Sequence, residues 1–99
     1  MHAIVWEFWA RTGREAEFER VYGPEGAWAR LFARGEGFLG TELLRDVEAR
    51  GHYLTIDRWT SFADFAAFRQ RWAEEYQALD RRCAALRARE APLGSFAPP

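Results

Sequence analysis

Residues 38–64 decide how this chain reads: Phe38-Leu-Gly-Thr-Glu-Leu-Leu-Arg-Asp-Val47, then Glu48-Ala-Arg-Gly51, His52-Tyr-Leu-Thr-Ile-Asp-Arg-Trp-Thr60 and Ser61-Phe-Ala-Asp64. The first and third segments are rich in apolar and β-forming residues, and the second is a short polar turn. Together they predict an antiparallel hairpin whose register the pattern leaves open. The Ser-x-x-Asp spacing that follows at once predicts a helix start. A hydroxyl at the cap and a carboxylate three residues later satisfy amides that the first turn leaves free.

Upstream of the hairpin, Ala3 to Trp9 reads as a first strand. Thr12-Gly-Arg-Glu15 has the capping-box spacing and predicts a helix with Phe18, Val21 and Tyr22 on one face. Gly23-Pro24 interrupts it, and Pro24 suits the first position of a restarted helix carrying Trp28, Leu31 and Phe32, which Gly35 and Gly37 end. Downstream, Phe62, Phe65, Phe68 and Trp72 are followed by Tyr76, Leu79, Cys83 and Leu86 at helical spacing. This predicts a long or broken helix with one apolar stripe, closed by Pro92, with a short last strand at Leu93 to Phe96. The order β-α-β-β-α-β is the split βαβ arrangement, an α+β ferredoxin-like antiparallel sheet with helices on one face. Residues 1–99 read as one domain with a loose tail at 97–99.

On the first strand Val5 and Trp9 share a face with Glu7, while Ile4, Trp6 and Phe8 occupy the opposite one, so both faces are largely apolar. Helices cover only one of them. The bare face predicts a homodimer, with two sheets closing into a dimeric α/β barrel and burying on the order of 1,600 Å².

Composition narrows the function classes. Fourteen basic residues, all Arg, balance 15 acidic ones to a net charge of −1, and no basic stripe offers a surface to nucleic acid or anionic membrane. A sheet of this topology that reads RNA would need that charge and a basic-aromatic strand motif. Lys is absent; the absence of Asn with few Cys and Met fits a heat-adapted or compositionally biased source. No run approaches the roughly 20 apolar residues of a membrane span, and residues 1–10 lack a signal-peptide pattern, so the expected location is cytoplasmic. Cys83 stands alone on the apolar stripe and reads as a buried structural thiol. No His or Cys cluster has metal-ligand spacing, and Gly35 and Gly37 lack the residues of a phosphate loop. No metal and no cofactor is expected.

The segments Gly37-Phe-Leu-Gly-Thr-Glu-Leu-Leu-Arg-Asp46 and Tyr53-Leu-Thr-Ile-Asp-Arg-Trp-Thr-Ser61 resemble the hairpin of the antibiotic-biosynthesis-monooxygenase-like family. The likeness spans roughly residues 3 to 96, and its most specific mark is a strand ending in Trp59 just before the Ser61 cap. It implies a dimeric α+β barrel with a pocket between helices and sheet. It also implies a cofactor-independent monooxygenase acting on a small aromatic, polyketide or quinol-type substrate. The family's oxygenase pattern has an Asn, the Trp, a Tyr and a later Arg. Here Trp59 matches, the Asn position holds Thr55, the Tyr position falls near Phe65, and the Arg is sought among Arg81 and Arg82. The haem-degrading branch needs an axial His in the helix after the Trp, whereas His2 and His52 lie on or beside strands.

The residues themselves offer two candidate chemistries. Glu7, Glu42 and Asp57 are carboxylates on three predicted strands, and two of them meeting beneath the rings would form a base for a phenolic or enolic substrate; the alternative is ion pairing with Arg45 or Arg58. Trp59 and Trp72 could stack an aromatic ligand with Tyr76 at its polar edge, or they could fill an ordinary core. His52 could shuttle protons or simply be solvated. The expected catalytic set is therefore Trp59, Asp57 and Glu42, and the ligand-binding set Trp72, Tyr76, Phe65 and Thr55. The rival reading is a non-catalytic dimeric barrel that binds a small apolar ligand.

Overall fold

The computed structural model describes residues 1–99. In chain order the elements are β1 (His2–Ala10), α1 (Glu15–Tyr22), α2 (Ala27–Phe32), β2 (Phe38–Arg45), β3 (His52–Trp59), α3 (Phe62–Arg71), α4 (Ala73–Cys83) and β4 (Arg87–Phe96). They build a four-stranded antiparallel sheet in the order β2-β3-β1-β4, with the helices on one face. The ferredoxin-like α+β arrangement expected from the hairpin and its flanks is therefore the one observed.

Register fixes what each strand shows to the helices. Ile4 pairs with Asp57, Trp6 with Thr55 and Phe8 with Tyr53, while Thr41 on β2 pairs with Asp57 from the other side. Because side chains alternate along a strand, these residues share the helix-covered face. Glu7, Trp9, His52, Leu54, Ile56 and Arg58 share the open one. On the covered side Phe8, Phe18, Tyr22, Trp28, Leu31, Phe32, Tyr53, Trp59, Phe68, Leu79 and Cys83 are buried together, so Cys83 is the buried thiol that its spacing predicted.

Ser61 caps α3 as predicted, its hydroxyl accepting from the Asp64 amide at 3.1 Å. Gly37 sits beside this cap with φ of +87°, and a Cβ there would lie 2.3 Å from an Asp64 carboxylate oxygen. Its carbonyl accepts from the Thr60 amide at 2.7 Å, which ties the start of β2 to the end of β3. Only glycine satisfies both the left-handed backbone and this approach.

Three sequence expectations are corrected. Thr12 caps nothing: α1 begins after Arg14, and the Glu15 carboxylate instead accepts from the Gly13 amide at 2.9 Å, two residues back. Pro24 lies in a turn, and α2 starts after Gly26, so the proline ends the first helix without opening the second. Pro92 does not close a helix. The apolar stripe breaks at Trp72 and ends with a 3₁₀ turn at Ala84–Leu86, and the last strand already begins at Arg87. β4 tolerates Pro92 because it is an edge strand with a register shift opposite Val5 and Trp6, where a missing amide breaks no regular ladder.

Candidate active site

A cavity of about 230 Å³ opens between the middle of the sheet and the helices. Its floor is Thr41, Thr55 and Asp57, its walls include Trp6, Phe8, Trp28 and Tyr76, and Arg69, Asp80, Arg87 and Glu90 also line it. The space follows from side-chain size along one face of β3. Tyr53 and Trp59 are bulky, and between them Thr55 and Asp57 are short, as is the cross-strand neighbour Thr41.

Asp57 is only 8% exposed, yet no ion pair reaches it. Its carboxyl accepts one hydrogen bond, from the Thr41 hydroxyl at 2.7 Å. Burial in this aromatic setting pushes its pKa up to about 6, although the Thr41 bond favours the charged form. Tyr76 meets the edge of Trp28 at a centroid distance of 4.9 Å. Burial raises the pKa of its hydroxyl, the nearby Arg69 opposes that, and the charges of Asp80, then Asp57 and Glu90, add to it.

At another part of the wall, Arg87 donates to the Tyr22 hydroxyl at 3.0 Å. It also lies 2.9 Å from Asp80 and 3.5 Å from Glu90, so its charge is shared between two carboxylates. Arg69 is exposed and sits 3.9 Å above the Tyr76 ring.

The structure separates the candidates drawn from the sequence. Asp57, Thr55 and Tyr76 line the cavity. Trp59 does not: it is 0% exposed and packed among Phe32, Phe38, Phe65 and Phe68 at centroid distances of 5.1 to 6.0 Å. Phe65 faces that ring, and Trp72 lies outside the cavity with Arg34 and Arg71 each 5.3 Å from its ring. Glu42 projects from the open face and pairs with Arg58. Glu7 is also on the open face, bonded to His52 Nε2 at 2.7 Å, while Asp46 holds His52 Nδ1 at 2.7 Å. The three strand carboxylates therefore do not meet, because strand parity sends Glu7 and Glu42 one way and Asp57 the other. Neither Arg81, Arg82 nor either histidine lines the cavity.

Trp6, Thr41, Arg69 and Arg87 line the cavity without having been singled out from sequence. The available signal was the large-small-small-large series Tyr53, Thr55, Asp57, Trp59 at a period of two, which marks a gap on one face of a strand.

An antiparallel sheet with a single helical layer encloses an aromatic cavity with one buried acid that no ion pair reaches, an α+β fold of the ferredoxin-like class. Comparison with known proteins gives it a family. The antibiotic biosynthesis monooxygenase profile matches residues 1–82, and the chain belongs to that family. Among solved structures it is similar to SnoaB, a cofactor-independent oxygenase from Streptomyces nogalater. The identity is 29% and the TM-score 0.71, over 99% of this chain and 92% of that one. It is likewise similar to a candidate antibiotic biosynthesis monooxygenase from Bordetella bronchiseptica, at 25% identity and a TM-score of 0.77, over 98% and 95% of the two chains. An MhuD mutant with two manganese protoporphyrin IX molecules bound per active site shares the fold at 22% identity and a TM-score of 0.74, over 99% and 94%. No curated protein matches the sequence.

Proposed function

We propose that this chain is a cofactor-independent oxygenase of a small phenolic or enolic aromatic, with Asp57 as the general base. One observation carries the reading: a buried carboxylate with no cationic partner stands on the floor of an aromatic cavity with its pKa pushed up to about 6. A base is most effective when its pKa lies near the working pH. At neutrality Asp57 is mostly ionised and accepts the substrate's acidic proton. The resulting anion is electron-rich enough to pass an electron to dioxygen, which the neutral aromatic resists. For a substrate methylene the balance closes as R₂CH₂ + O₂ → R₂C=O + H₂O, one oxygen atom entering the product and the other leaving as water. Thr41 holds the carboxylate in place, and Trp6, Trp28 and Tyr76 supply ring faces and one hydroxyl for the substrate. SnoaB, described as a cofactor-independent oxygenase, supports this class of chemistry.

The test is oxygen uptake with an enolisable two-ring ketone such as 2-tetralone, corrected for its spontaneous oxidation, comparing wild type with Asp57→Asn. Loss of a positioned base costs roughly 10² to 10⁴ in turnover. Turnover unchanged in the variant would refute the role of Asp57. Saturable binding with no turnover by wild type would point to the non-catalytic binding barrel instead.

A further inference from the structure

The proposal for the reaction leaves Arg69 unexplained. Two arginines line the cavity, and they differ in what they are bound to. Arg87 has a side chain only 11% exposed and is engaged by Asp80, Glu90 and Tyr22, so its donors and its charge are committed. Arg69 takes part in no ion pair or side-chain hydrogen bond, yet it is not loose. Tyr76 supports it from below at 3.9 Å, and a guanidinium seated on a ring face keeps its in-plane N–H groups free for a carboxylate fork. Burial sets the two ends of the site: Asp57 is on the floor, and exposed Arg69 is at the mouth.

Cavity size limits what lies between them. An apolar cavity of about 150 Å³ accepts benzene, so the 230 Å³ found here suits one or two fused rings. Resting on the reading of the cavity as an aromatic-ligand site, we propose that its ligand is an acidic aromatic of one or two fused rings. Its hydroxyl lies at Asp57 and its carboxylate at Arg69, and Arg69 is the residue that selects for the acid. Asp80 and Glu90 would repel a second anion, but both are already shared by Arg87, so the mouth cation decides.

Calorimetric titration with 6-hydroxy-2-naphthoate, 2-naphthol and 6-(aminomethyl)-2-naphthol separates the possibilities, since the three share rings and hydroxyl and differ in charge. Wild type is expected to bind the carboxylate about tenfold more tightly than the naphthol, the increment of one charge-assisted contact. Arg69→Ala should bring the two affinities together, and Arg69→Lys should restore part of the preference. Because Arg69 is exposed, both variants should melt as wild type does. Equal binding of acid and naphthol by wild type, preference for the aminomethyl compound, or an acid preference that survives Arg69→Ala would overturn this proposal while leaving the aromatic site standing. Failure of all three compounds to bind would overturn the site and the proposal together.

Discussion

Trp59→Ala should unfold this protein more readily while leaving its cavity intact. The indole is 0% exposed and surrounded by Phe32, Phe38, Phe65 and Phe68. A Cβ at Gly35 would stand 3.0 Å from it, so the indole fills its site up to the neighbouring backbone. Truncating a buried Trp costs about 3 to 5 kcal/mol through lost transfer energy and the void left behind. One feature works against this: Nε1 is buried with no hydrogen-bond partner, a burden of about 1 to 3 kcal/mol that the mutation lifts. The net loss should therefore be about 2 kcal/mol, which for a domain of this size lowers Tm by roughly 8 to 16 °C. Trp59→Phe fills most of the space and removes the orphan donor, so it should cost about 1 kcal/mol or less. Urea denaturation of the three proteins at one concentration, beside naphthol titration of each folded form, measures both quantities. A Trp59→Ala variant that loses under 1 kcal/mol but no longer binds the aromatic would refute the assignment of Trp59 to the core.

Two further outcomes follow from the open face of the sheet. The hydrogen bond that the His52 ring donates to Asp46, then that to Glu7, raises the His52 pKa, so its NMR titration midpoint should exceed 6.5, and Glu7→Gln should lower it. A group raised in the folded state stabilises fully below its unfolded pKa, so the His52 contribution should be complete below about pH 6.5 and fade as pH rises through the folded midpoint. The second outcome is a homodimer: Val5, Leu54 and Ile56 are only half-buried on that face, beside Leu44 and Phe96 at 45% and 54% exposure. Light scattering at micromolar concentration should give twice 11.5 kDa, and a single subunit's mass would refute the pairing of sheets.

Most of the fold was legible because its signals are local. The hairpin announced itself by two β-rich runs around a polar turn, and the Ser61 cap needed only the next three residues to be recognised. What stayed hidden depended on distant partners. Arg87-Ala-Arg-Glu90 has the composition of a helix, and it becomes a strand because β1 offers an unpaired edge at that point. Local propensity lost to that ladder. Thr12 failed as a cap for a smaller reason: Glu15 turns back to the Gly13 amide, which moves the helix start by two residues.

The site was half legible for a reason that lies in β3 alone. Tyr53, Thr55, Asp57 and Trp59 share one face, and all four were open to reading as a ligand surface. Which of them meets a ligand depends on how near the helices come, and that is not written in the strand. At Trp59, Phe65 and Phe68 of α3 and Phe32 of α2 close on the ring and leave nothing open. Two positions earlier, the short side chains leave a gap that Tyr76 and Trp28 roof without filling. The large residues are therefore the supports of the cavity and the small polar ones its working floor. An acid placed on such a floor is desolvated by its neighbours and cannot be neutralised by Glu7's or Glu42's partners across the sheet, since the sheet itself stands between them. Its raised pKa thus follows from strand parity and side-chain volume, two properties of the sequence that acquire chemical meaning only once the helices are in place.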